Sequence, residues 1–135
     1  MPLITWGPML AVGVAEIDEQ HKKLVELVNQ LNDAMHAGHG KDALTPVLNE
    51  LVRYTVYHFG TEERLMAKHR YEASVAHKGE HTKFVATVSD FKKKFDAGNA
   101  MISTEIMNFL RDWLSKHILQ TDKKFAKALN GLGVK

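Results

Sequence analysis

The chain has 135 residues, enough for one domain with a hydrophobic core of its own. Apolar residues make up 44% and charged residues 25%, the balance of a water-soluble globular protein, and a formal charge of +2 is too small to argue for nucleic acid or a membrane surface as partner. There is no cysteine, which excludes disulfides and thiolate metal ligands together.

The first twenty residues carry no basic stretch followed by an apolar one, so no secretory signal is visible. No apolar run approaches the ~20 residues of a membrane-spanning helix. The expectation is a cytoplasmic protein with no membrane insertion. Residues 1–16 contain Pro2, Gly7, Pro8 and Gly13 and read as an extended arm, with Trp6, Leu10, Val12 and Val14 as apolar anchors.

The periodicity then predicts four helices. The first covers about 18–37, with Asp18 as its N-cap, Leu24, Leu27, Val28, Leu31 and Met35 on one face, and Gly38 or Gly40 closing it. The second covers about 42–68, with Pro46 in its first turn and Leu44, Leu48, Leu51, Thr55, His58, Glu62 and Leu65 inward. The third covers about 72–96 and presents His77, His81, Phe84, Val88, Phe91 and Phe95; Gly98 stops it. The fourth covers about 103–129, with Ile106, Leu110, Trp113, Leu114, His117 and Phe125 inward and Gly131 and Gly133 at its end. No segment alternates with period two. Four amphipathic helices with short connections predict an all-α fold, a single domain over 1–135 built as an antiparallel up-down-up-down four-helix bundle with an N-terminal extended arm.

The chemistry lies on those apolar faces. His58 and Glu62 are one turn apart, as are His77 and His81, and residues at i and i+4 share a helix face. His21 and His117 stand on the faces of the first and fourth helices. A polar side chain in a core costs free energy unless it has a partner. A lone histidine there is ordinarily a hydrogen-bonded core residue, but five imidazoles converging from four helices share one explanation, a metal centre. His36, His39 and His69 fall in loops or at helix ends and read as exposed.

Asp122 fits less simply. It follows His117 by five residues, a rotation of about 140° on a regular helix. Either it reaches round the helix edge, or the helix carries a π-bulge, or it is a surface acid.

The order His21, His58-x-x-x-Glu62, His77-x-x-x-His81, His117-x-x-x-x-Asp122 resembles the ligand signature of the hemerythrins, and of their bacterial single-domain branch in particular. The segments Ile17-Asp-Glu-Gln-His21 and His58-Phe-Gly-Thr-Glu-Glu-Arg-Leu-Met66 are similar as well, and the likeness covers nearly the whole chain. The resemblance implies that all seven residues, Asp122 included, hold two iron ions joined by an oxo or hydroxo bridge. It implies that His77, His81 and His117 serve one iron and His21 and His58 the other. If Glu62 and Asp122 both bridge, one coordination position stays open on the iron with fewer histidines, and the resemblance makes dioxygen its ligand.

Leu24, Phe59, Trp113, Leu114 and Ile118 are expected to wall that position, since each lies close in helical register to His21, His58 or His117. The implied function is reversible O2 binding for storage, transport or delivery to an O2-consuming enzyme, by a protein that is itself no enzyme and is expected to be a monomer. A diiron peroxidase or oxygenase, an O2 or iron sensor, and iron or zinc sequestration are the alternatives. The first is disfavoured because ferritin-like diiron enzymes use mostly carboxylate ligands, and a sensor ordinarily needs an output domain.

Overall fold

In the computed structural model, residues 3–37, 41–98 and 102–135 are described, the side chains of 41–43 and 102–103 excepted. Helix α1 spans Ala15–His36, α2 Lys41–Lys68, α3 Ser74–Asp96 and α4 Ile102–Lys116. A π-helical turn, His117–Asp122, carries α4 directly into α5, Lys123–Gly131. Lys116 and Lys123 both keep right-handed helical dihedrals, so α4, the π turn and α5 form one rod. Neighbours in sequence pack side by side, and α1 also packs on α4, which closes the four rods into an up-down-up-down bundle. No strand occurs among the described residues.

Helix α1 begins earlier than Asp18. Its N-cap is Val14, and the Asp18 carboxylate reaches back to accept the amides of Val12 and Gly13 at 2.7 and 3.2 Å. Ala15-Glu16-Ile17 continues the helical pattern upstream, so the acid tethers the arm instead of capping the helix. A second tether is Asn29, whose side chain accepts the amides of Leu3 and Ile4 and donates to the Ile4 carbonyl at 2.8 Å. Both hold the arm against α1, where Ile4, Leu10 and Val14 are buried. The glycines proposed to end α1, Gly38 and Gly40, and also His39, lie outside the described residues.

Three other helix ends reach the left-handed conformation in two ways. Gly98 and Gly133 take positive φ after α3 and α5, the conformation that glycine adopts freely. After α2 the same role falls to Arg70, at φ 51°, with the Tyr71 amide donating back to the Met66 carbonyl at 3.0 Å. The turn needs a left-handed residue, and here a side chain bears the strain.

The core is two apolar layers separated by a polar one. The larger layer runs from Leu24 and Phe59 through Phe84, Leu114 and Ile118 to the far end of the bundle. The smaller gathers Val14, Ile17, Met66, Phe125, Ala126 and Leu129. Burying such side chains contributes roughly 1.5–3 kcal/mol each. Leu65, expected inward, is half-buried, and Met66 takes the buried position beside it.

Candidate metal centre

Between the two layers every helix of the bundle contributes buried polar groups. On α1 they are Gln20 and His21, on α2 His58, Thr61 and Glu62, and on α3 His77 and His81. The π turn contributes His117 and Asp122 at its two ends. All seven residues singled out in the sequence are at most 3% exposed. They form two sets whose ligand atoms lie within 4.8 Å of one another: Glu62, His77, His81, His117 and Asp122, and His21, His58, Glu62 and Asp122. The carboxylates belong to both.

The π turn resolves the position of Asp122. Its wider winding returns residue i+5 to the face of residue i, and Asp122 Oδ1 lies 3.0 Å from His117 Nε2. The same oxygen is 3.0 Å from His77 Nε2, while Oδ2 is 2.9 Å from His21 Nε2. Glu62 Oε1 lies 3.4, 3.7 and 3.2 Å from Nε2 of His58, His77 and His81. All five imidazoles thus direct Nε2 inward, around two carboxylates.

These approaches are close but poorly aligned as hydrogen bonds. Nε2 of His21, His77, His81 and His117 and all four carboxylate oxygens of Glu62 and Asp122 are buried with no hydrogen-bond partner. Leaving one such group unsatisfied costs ~1–3 kcal/mol, so eight together need a common partner. A cation pair would supply it, and the donor set of imidazole nitrogen and carboxylate oxygen suits iron among other transition metals.

The electrostatics of the cluster are strongly perturbed. Burial, and then His21, push the His58 imidazole well below its ordinary 6.5. Burial, with His77 and His117 nearby, brings His81 down to about 3. Burial would lower His77 also, but its contacts with Asp122 and Glu62 prevail and raise it to about 9. Burial and the neighbouring Asp122 push Glu62 well above the carboxylate range. Burial opposes ionisation of Asp122 too, yet His117, His21 and His77 together hold it well below. One carboxylate prefers its proton and the other its charge.

Around the candidate ligands lies an outer shell that the periodic faces do not reveal. His58 Nδ1 donates to Gln20 Oε1 at 2.7 Å, and the Gln20 amide donates to Thr61 at 3.2 Å. His81 Nδ1 faces Glu63 at 3.3 Å, and His117 Nδ1 faces Glu80 at 2.9 Å. Each partner is the chain neighbour of a candidate ligand: Gln20 of His21, Glu63 of Glu62, Glu80 of His81. That adjacency is the signal by which they could have been found.

The aromatic candidates sit against histidine rings of the cluster. Phe59 stacks on His81 with centroids 3.8 Å apart, and lies 5.9 Å from His58. Trp113, half-buried, stacks on His117 at 4.3 Å. Leu24, Leu114 and Ile118 are at most 2% exposed in the adjoining apolar layer. His36 is exposed and His69 half-buried, apart from the cluster. No helix among the described residues is long and apolar enough to cross a membrane.

A four-helix bundle with two overlapping histidine–carboxylate sets in its interior defines a class, the metal-binding bundles that coordinate ions between facing helices. Residues 12–129 match the hemerythrin HHE cation-binding domain. The chain is 37% identical to a bacteriohemerythrin of Methylococcus capsulatus, over 96% of this chain and 99% of that one. It is 38% identical to a bacteriohemerythrin of Pseudomonas aeruginosa, over 96% of this chain and 83% of that one. The crystal structure of a wild-type hemerythrin superposes with a TM-score of 0.85 at 38% identity, covering 94% of this chain and 98% of that one. The chain belongs to the hemerythrin family, in its bacteriohemerythrin branch.

Proposed function

We propose that this protein binds dioxygen reversibly at a pair of iron ions held by His21, His58, Glu62, His77, His81, His117 and Asp122, and serves O2 storage, transport or delivery to an O2-consuming enzyme. The observation that carries the reading is the placement of Asp122. Its two oxygens face opposite sets, Oδ2 towards His21 and Oδ1 towards His77 and His117. A carboxylate so placed would span two ions. When bound, the ferrous pair supplies two electrons side by side and a coordination position that the seven side chains leave free.

Everything else falls to the protein's residues. Glu62 and Asp122, common to both sets, would hold the pair together, with three imidazoles in one set and two in the other. Leu24, Leu114 and Ile118, with Phe59 at the border of both sets, exclude water from the open position. Trp113 orients His117 by stacking. The neighbouring acids Glu63 and Glu80 sit behind His81 and His117, on the Nδ1 side of the rings. Among the described residues the only buried acids are Glu62 and Asp122, which supports a carrier over a peroxidase or oxygenase, both of which need proton delivery. The test is stoichiometric gas uptake by the anaerobically reduced, iron-loaded chain. One O2 taken up per chain and released on degassing is the expected result. Continuous consumption of peroxide or O2 with added reductant would replace the carrier reading by an enzymatic one.

A further inference from the structure

The outer shell is unequal. Two of the three imidazoles in the larger set have a carboxylate behind them: His117 donates from Nδ1 to Glu80 at 2.9 Å, and His81 faces Glu63 at 3.3 Å. In the smaller set His58 has only the neutral amide of Gln20, and His21 Nδ1 has no partner. The difference is built in. Thr121 Oγ1 donates to both oxygens of Glu80, at 2.9 and 3.1 Å, and holds the carboxylate on the His117 ring. The hydrogen bond from Gln20 to Thr61, whose own hydroxyl donates to the Tyr57 carbonyl at 3.3 Å, fixes which end of the amide meets His58.

A carboxylate can only accept, so it pins the ring as the tautomer with its Nε2 lone pair facing inward. Its charge also makes that nitrogen a stronger donor to a metal, and removing such a partner typically costs 10–100-fold in metal affinity. A neutral amide fixes the tautomer without adding the charge.

We propose that Glu80, with Glu63 in support, is a positioning residue that makes the three-histidine set the stronger of the two metal positions, so that ions load in order, His77/His81/His117 first and His21/His58 second. Thr121 is its anchor, and Gln20 marks the position left weak. The proposal rests on the metal-pair reading above. Three imidazoles against two would favour the same order on their own. What belongs to Glu80 is the size of the gap.

The probe is Zn2+, titrated into the full-length chain with histidine-labelled 15N NMR and chelator competition as readouts. At one equivalent, Nε2 of His77, His81 and His117 should move to coordinated positions while His21 and His58 stay free. At two equivalents all five should move. Glu80→Gln, which keeps the shape and the Thr121 contact, should weaken the first ion by roughly 10–100-fold and the second much less. Gln20→Glu should tighten the second. Thr121→Val leaves the charge in place and should have a smaller effect than Glu80→Gln. A merely structural Glu80 would instead change the melting temperature of the metal-free chain and leave first-ion affinity alone.

If two ions bind but Glu80→Gln leaves first-ion affinity within about threefold, or weakens both steps alike, the proposal is overturned and the metal pair stands. If the unaltered chain never shifts all five histidines, the metal-pair reading itself fails and the proposal falls with it.

Discussion

His117 and Asp122 are five residues apart in the chain, and their Nε2 and Oδ1 atoms are 3.0 Å apart in space. The π turn that joins them behaves as one residue inserted into a regular helix. Deleting Gln120, which is exposed, would therefore return the pair to the i, i+4 spacing of an α-helix with Asp122 still on the face of His117. The expected outcome is a folded chain that keeps its full metal content by elemental analysis, whereas Asp122→Asn loses metal. Loss of metal from the deletion variant would show that the π turn does more than set register.

That turn also marks where reading the sequence stops. The four helices were legible because their buried residues recur every three or four positions. His21, His58, Glu62, His77, His81 and His117 stood out because they occupy positions on those faces. Asp122 is off the face on a regular helix, and periodicity does not encode a change from i+4 to i+5 hydrogen bonding. Only the family's ligand order pointed to it. Gln20, Glu63 and Glu80 were missed because each sits beside a ligand at the edge of its helix face, where a polar residue looks like ordinary solvent-facing surface. Asp18 was misread for a local reason. Ser, Thr, Asp and Asn favour helix N-caps, but its carboxylate found amides in the arm and the helix began at Ala15.

Leu114 is 2% exposed, one turn before His117, in the larger apolar layer. Leu114→Ser would put a hydroxyl and room for water beside the proposed open position. The iron-loaded chain should pass to its ferric form in air faster than the parent, measured optically under fixed oxygen pressure. The truncation should also cost about 2–5 kcal/mol of stability, as large-to-small core changes do. An unchanged autoxidation rate would remove Leu114 from the wall.

The metal-free chain should be most stable near pH 6.5 and weaken in both directions. His81, at about 3, and His58, also depressed, stay neutral in the folded chain while the unfolded chain takes up their protons below 6.5. Stability is therefore lost as pH falls through that range. Glu62, raised by burial, opposes this above its ordinary 4.5, but it is one group against two. His77, raised to about 9, holds its proton only when folded between 6.5 and 9, so its contribution is lost as pH rises through 9. Denaturant midpoints of the metal-free chain across pH 4–9 test this. A midpoint rising steadily to pH 9 would contradict it.

Asn29 fastens the arm through three hydrogen bonds to Leu3 and Ile4. At roughly 0.5–1.5 kcal/mol net per bond, Asn29→Ala should lower stability by about 1.5–4.5 kcal/mol and speed hydrogen exchange at Leu3 and Ile4. Metal stoichiometry should not change, because Asn29 lies two turns beyond His21 on α1. Unaltered exchange at those amides would show the arm to be held by its apolar contacts alone.

The central claim is that seven side chains hold two iron ions that share Glu62 and Asp122. Iron K-edge X-ray absorption on the loaded chain, with iron and protein quantified on the same sample, measures this directly. The account predicts two irons per chain, a nitrogen- and oxygen-rich first shell, and a scattering shell from a second iron. One iron per chain, or two irons with no iron–iron scattering, would contradict it.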